Sequence, residues 1–294
     1  MTLPRIHNLG SVNIDHVYEL PHFVRPGETL ASSAYSRGVG GKGFNQSLAL
    51  RRAGAGVFHI GRIGTDGEWL RGMLQSEGVD CAALSISDEA TGHAVIQVVP
   101  GGENAIVLHG GANGDIGDGH VARALASART GDWFLCQNET SSVAASLRIA
   151  REAGLRTAYN AAPAAPDVSR ACLEDVDFLF VNETEVAALA GKGEAKAAAE
   201  LIRADHPHIT VVLTLGSAGA MWIGKGQTLH VPASPCEVVD TTAAGDTFTG
   251  YCLAALMRAE LPLDALMLAA RAAALCVSRH GAAASIPRMQ ELLK

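Results

Sequence analysis

The chain has 294 residues, 48% of them hydrophobic and 18% charged, with a formal net charge of −7. That balance suits a globular protein with a large core, and the absence of a basic block argues against a nucleic-acid or anionic-membrane partner. Six cysteines scattered through mostly apolar segments, without a C-x-x-C pair, argue against a metal cluster or a disulfide framework.

The first residues, MTLPRIHNLGSVNID, lack the basic start and unbroken apolar run of a signal peptide. No later segment reaches the roughly 18 uncharged apolar residues of a membrane span, so a cytoplasmic protein is expected. The strand-like RIHNLG leads into GSVNID, which puts Asn13 and Asp15 at a strand end. An amide and a carboxylate one residue apart can donate to and accept from adjacent hydroxyls, although Asn and Asp also form turns there.

Residues 16–37 contain turn signals and no helical period. GVGGKGFNQSLAL follows. Gly38, Gly40 and Gly43 satisfy G-x-G-x-x-G, but the preceding ASSAYSR is too polar for the buried strand that a dinucleotide fingerprint needs. Lys42 is followed by Gly43 rather than Ser or Thr, so the segment is not a P-loop either. It offers bare backbone at a helix start, with Lys42 and Asn45 beside it, where a polyhydroxylated ligand can approach closely.

Short apolar runs at 57–60, 133–136, 157–159, 178–181 and 210–215 predict strands. They alternate with helical patterns at 45–53, 68–77, 142–153, 195–204, 246–257 and 265–277. This alternation predicts a three-layer α/β/α domain with a mainly parallel central sheet. Residues 91–112 read as a hairpin, HAVIQVV and NAIVLH around Pro100-Gly101-Gly102. With 16–37 it predicts a small antiparallel β lid over the carboxyl ends of the large sheet, where ligands of open α/β folds bind.

Polar groups recur at those strand ends. Glu139 follows WFLCQ, and Asn182 and Glu185 follow FLFV with N-x-x-E spacing. At a helix start that spacing serves either a capping box or a shared ligand, with the carboxylate available to Mg²⁺. Thr214-Leu215-Gly216-Ser217-Ala218-Gly219 ends another buried strand, and its small turn could let a nucleotide lie against the backbone. Last comes VVDTTAAGDTFTG, in which Ala243, Ala244 and Gly245 precede Asp246 at a helix start. An acidic residue there suits the positive end of the helix dipole, which is the simpler reading of this window alone. The sharper one is that bare amides make an anion site and the carboxylate beside them faces a bound phosphate.

These pieces, in this order, resemble the ribokinase-like (phosphofructokinase-B-type) family of carbohydrate kinases. Gly40 to Asn45 matches the family's GGKG-x-N segment, Asp240 to Phe248 matches D-T-x-[GA]-A-G-D-x-F, and Asn182 to Glu185 supplies N-x-x-E. The likeness covers nearly the whole of residues 1–294 as a single catalytic domain. It implies an ATP-dependent transfer of phosphate to the primary hydroxyl of a small sugar, with D-ribose the leading substrate. Another polyol, a sugar acid or a nucleoside is the alternative, as is a sugar sensor without transfer.

The resemblance assigns roles residue by residue. Asp246 would be the general base, with backbone amides of Ala243, Ala244 and Gly245 forming the anion hole. Asn13, Asp15, Gly41, Lys42, Asn45 and Glu139 would hold the sugar. Asn182, Thr214, Gly216, Ser217, Gly219 and Gly245 would contact ATP, and Glu185 would organise Mg²⁺. A K⁺ activator site would involve Asp240, Thr242, Cys276, Arg279, Gly281 and Ser285. A homodimer through the lid is implied as well. The family pattern is departed from twice: Phe44, beside Asn45, replaces a common Ala and bears on pocket shape. Ala270 stands where a polar residue often meets adenine.

Overall fold

The structure is a computed structural model that describes residues 4–191 and 193–293. Among these residues the main sheet has nine strands in the order β13-β12-β11-β10-β9-β8-β1-β4-β5. In chain order they are β1 (Arg5–Leu9), β4 (Gly56–Ile63), β5 (Leu84–Ile86), β8 (Trp133–Gln137), β9 (Arg156–Asn160) and β10 (Phe178–Asn182). They finish with β11 (Thr210–Thr214), β12 (Ala220–Gly224) and β13 (Gln227–Val231). Every pairing from β11 across to β5 is parallel, and only the β11–β12–β13 edge runs antiparallel.

Strand residues alternate between two cores, as a sheet buried on both faces requires. Trp133, Leu135, Phe178, Phe180 and Val212 face one apolar cluster, while Phe134, Cys136, Leu179, Val181, Val211 and Leu213 face the other. The first cluster is covered by α1 (Lys42–Arg52), α2 (Glu68–Ser76), α8 (Ala244–Met257) and α9 (Pro262–Val277). The second is covered by α3 (Asp118–Leu125), α4 (Val143–Glu152), α5 (Pro166–Cys172), α6 (Glu183–Ala190) and α7 (Ala195–Asp205). No described helix is long and apolar enough to cross a membrane.

The second sheet contains β2 (Asn13–Glu19), β3 (Ala34–Gly40), β6 (Gly92–Val98) and β7 (Asn104–His109), ordered β3-β2-β6-β7. It comprises two antiparallel pairs joined in the middle by a parallel β2–β6 pair. β2 follows β1 after three residues, and β3 runs directly into α1 through Gly41. The second sheet is therefore rooted where β1 ends.

The glycines of GGKG have a packing role here. Gly41 sits at φ 96, a left-handed conformation that favours glycine. A Cβ on Gly43 would lie 2.3 Å from backbone atoms of Gly10. Bare glycine is what lets the start of α1 rest on the β1–β2 connection.

Candidate active site

At the start of α8 the N-cap residue is Ala243, at φ 62 and ψ 9, with no side-chain cap. Left-handed backbone costs a non-glycine residue about 1–2 kcal/mol, so the surrounding fold holds this turn against local preference. The first-turn amides of the helix have no partners four residues back. Asp246 occupies the third helical position, where an acid ordinarily reaches back to the N-cap amide. Glu185 does this in α6: its Oε2 accepts from the Asn182 amide at 2.9 Å, and Asn182 Oδ1 accepts from the Glu185 amide at 2.8 Å.

Asp246 points elsewhere. Its Oδ1 accepts from Gln46 Nε2 at 2.8 Å and its Oδ2 from Asn45 Nδ2 at 3.2 Å, both across from α1. Burial pushes its carboxyl above the usual range, and the Lys42 charge and the two amides pull it partly back. The carboxylate is thus buried and bonded to α1 rather than to the amides of its own helix.

Two cavities meet at this turn. The smaller, about 210 Å³, is lined by Lys42, Asn160, Glu185 and Asp246 among others. The larger, about 800 Å³, is lined by Gly216, Ser217, Gly219, Cys236 and Ala270 among others. Asn182, Thr214, Ala244 and Gly245 line both, and Ala243 lines the smaller. The larger volume falls within the range of sites for drug-sized ligands.

On the lid side, Lys42 links the small cavity to the remaining polar groups. Its Nζ lies 3.8 Å from Glu139 Oε1, while Glu139 Oε2 accepts from the Lys42 amide at 3.0 Å and from Ser11 Oγ at 2.5 Å. Burial alone would lower the Lys42 ammonium, but attraction from Asp246, Glu139 and Glu185 outweighs it and leaves it raised. Asp15 faces the same region, with a carboxyl pushed up to about 6 by burial and then by the Glu139 charge. A Cβ on Gly40 would stand 2.1 Å from Asp15 Oδ1, so glycine makes room for that carboxylate. Asn13 Oδ1 accepts from Asn113 Nδ2 at 2.7 Å, and Asn45 Oδ1 is buried without a partner. An orphaned acceptor amid two carboxylates, an ammonium and amides suits a ligand rich in hydroxyls.

Residues 4–289 match the model of the pfkB family carbohydrate kinases. The chain belongs to that family. It is similar to a ribokinase of Haemophilus influenzae, 38% identical over 97% of this chain and 96% of the relative, and to one of Staphylococcus aureus, 34% identical over 97% of each. Among solved structures it is similar to a Cryptococcus neoformans ribokinase in complex with ADP (TM-score 0.86, 37% identity, 99% of each chain). It is also similar to an Arabidopsis thaliana ribokinase complexed with ribose and ATP (TM-score 0.89, 28% identity, 99% of this chain and 98% of that one). This pfkB-family chain is thus an ATP-dependent sugar kinase.

Beside the α8 turn lies the segment that the sequence links to K⁺. Asp240 Oδ1 accepts from the Thr242 amide at 2.9 Å and its hydroxyl at 2.6 Å, and Oδ2 accepts from the Gly281 amide at 2.9 Å. Cys276 Sγ lies 3.1 Å from Ser285 Oγ. These five residues come together. The Arg279 side chain turns away and donates to Glu291 Oε1 at 2.6 Å. Phe44 also turns away: it is 1% exposed, belongs to the first core and lines neither cavity. Ala270 does line the larger cavity.

Motif reading passes over Asn160 and Thr249, which line the small cavity, and over Ser11, Asn113 and Gln46, which bond Glu139, Asn13 and Asp246. Ser11 and Gln46 adjoin recognised residues, so proximity was the available signal. Asn113 and Asn160 arrive from loops and strand ends far along the chain, and nothing local marks them.

Proposed function

We propose that the protein transfers the γ-phosphoryl group of ATP to the primary hydroxyl of D-ribose, giving ribose 5-phosphate and ADP. The observation that carries this reading is the seam: Ala244 and Gly245 line both the large and the small cavity, and Asp246 lines the small one. A nucleotide in the large cavity therefore presents its terminal phosphate to the Gly245 amide and to the neighbouring Ala244 amide, which also reaches the Thr241 carbonyl at 3.3 Å, with the carboxylate on the far side. A new bond forms between the sugar oxygen and the γ-phosphorus as the bond to the bridging oxygen of ADP breaks, and Asp246 accepts the hydroxyl proton. Fixed amides aimed at developing charge contribute on the order of 10²–10³ each. Asp15, Asn45, Lys42, Glu139 and Asn13 position the sugar so that its primary hydroxyl meets Asp246.

Glu185 uses one oxygen in its capping box and keeps the other for the small cavity. The Glu185 carboxylate at the small cavity is an oxygen donor of the kind that Mg²⁺ takes beside a triphosphate. Glu185 would hold Mg²⁺, which would supply charge neutralisation for the phosphates. Carbonyl and carboxylate oxygens around Asp240, Thr242, Gly281 and Ser285 would hold K⁺ next to the anion hole. The four-stranded lid closes over the sugar and pairs two chains into a homodimer.

The test is a coupled ADP-release assay over a panel of ribose, other pentoses, hexoses, polyols and nucleosides. Ribose should give the highest kcat/KM. Asp246→Asn should keep ribose binding while kcat falls roughly 10²–10⁴-fold; turnover near that of the parent would remove the base assignment. A nucleoside outranking ribose would move the substrate and leave the base in place.

A further inference from the structure

Beneath Asp246 runs a chain of buried amides that ends on a main-chain carbonyl. Asn8 on β1, Gln46 and Ser47 on α1, Gln137 on β8 and His59 on β4 are each at most 1% exposed. Asn8 Nδ2 donates to the Gly43 carbonyl at 2.9 Å and to Ser47 Oγ at 2.8 Å. Gln137 Nε2 donates to Asn8 Oδ1 at 2.9 Å and to Gln46 Oε1 at 2.8 Å. Gln46 Nε2 donates to Asp246 Oδ1 at 2.8 Å. Ser47 Oγ lies 2.8 Å from His59 Nδ1.

The direction of every bond follows from one fixed point. A peptide carbonyl can only accept, so the Gly43 oxygen turns the NH₂ of Asn8 toward itself. Asn8 Oδ1 then faces Gln137, which must answer with its own NH₂, and both of those N–H groups are used. Gln46 must meet Gln137 with Oε1, and its NH₂ is left facing Asp246. Reversing Gln46 would set oxygen against the carboxylate and NH₂ against NH₂, two repulsive contacts in a dry interior. Neutral His59, its imidazole lowered to about 4 by burial, accepts the Ser47 proton and closes the other end.

We infer that Gln46 is a positioning residue for phosphoryl transfer, with Gln137 and Asn8 locking its amide so that an N–H always pins Oδ1 of Asp246. Oδ2, held only by the longer contact from Asn45, is thereby the oxygen presented to the sugar hydroxyl. This rests on Asp246 being the base, and it adds a cause for the aim of that base. Gln46 touches no substrate in this scheme: its side chain is fully buried, with Nε2 on Asp246 and Oε1 on Gln137. The charged groups facing Asp246 are Lys42, Glu139 and Glu185. Their charged groups make no hydrogen bond or ion pair to the Gln46 or Gln137 side chain, so exchanging these amides leaves the charges of the site in place.

The experiment is a double-mutant cycle on full-length protein, reading kcat and both KM values. Gln46→Met keeps volume and removes the donor; kcat should fall ~10–100-fold with ribose and ATP KM within about threefold. Gln137→Met, one residue further from the site, should lower kcat in the same direction and less. It supplies the readout should Gln46→Met fail to fold. Adding Gln46→Met to Asp246→Asn should change the residual rate by less than about twofold, because the group it aims is gone. An undiminished kcat in both glutamine variants, or a loss that survives in full on the Asp246→Asn background, overturns the inference. Near-parent turnover in Asp246→Asn alone overturns the base assignment first, and Gln46's role with it.

Discussion

Under the proposed function, Asp15 is a side chain that trades stability for binding. Its folded-state value of about 6, raised by burial and by Glu139, lies above that of an ordinary carboxyl. The folded chain therefore holds the proton more tightly than the unfolded chain between about pH 4 and 6. Stability falls as pH rises through that window, and above it the protein carries an ionised carboxylate at a net cost. Asp15→Asn should remove the cost and raise Tm by roughly 2–4 °C at pH 7.5. It should also raise the KM for ribose about tenfold or more, since charge-assisted acceptance of hydroxyls is lost. In the parent enzyme the ribose KM should climb as pH drops below about 6, whereas in the variant it should be flat. Thermal melts and KM at pH 5 and pH 8 check this, and an unchanged KM in the variant would remove Asp15 from the sugar site.

At the scale of elements, the contact between α1 and the β1–β2 connection sets where the site's groups stand. Gly43→Ala puts a Cβ 2.3 Å from Gly10 Cα and 2.4 Å from the Ser11 nitrogen, backbone that cannot step aside. The start of α1 must move, taking Lys42, Asn45 and Gln46 with it. A loss of roughly 2–4 kcal/mol in chemical denaturation and a fall of 10²-fold or more in kcat/KM are expected. Gly72→Ala is the comparison: a helical glycine with open space around it, it should gain about 0.5–1 kcal/mol. Equal behaviour of the two variants would count against this packing account. The same contrast explains what was legible in the sequence. Strands such as Phe178–Asn182 and helices such as Ala244–Met257 are visible because a long apolar period marks them. The β12–β13 hairpin, the short helices Asp118–Leu125 and Pro166–Cys172, and the bond from Gln46 to Asp246 are not. The first three are short, and the last joins residues 200 positions apart. Motifs name the carboxylate; only tertiary register tells which amides aim it.

For the whole molecule the lid poses the last question. Cross-strand register puts Asp15, Ala94 and Leu108 on one face, with Val17, Ile96 and Ile106 continuing it outward. Near the root this face covers the polar site. Toward β7 it becomes apolar and open, with Ile106 57% and Leu108 52% exposed. An apolar sheet face continuous with a sugar site, ending in an exposed edge strand, is a surface that proteins ordinarily cover. In the proposed homodimer a second copy of the lid would supply the same apolar face in return, as a twofold interface requires. Sedimentation velocity should give the mass of two chains for the parent protein and of one chain for Ile106→Glu. If the proposed pairing holds the lid over the site, Ile106→Glu should also raise the ribose KM several-fold while leaving the ATP KM within about twofold. A parent protein that sediments as a single chain at micromolar concentration would show that the lid closes over the sugar without a partner.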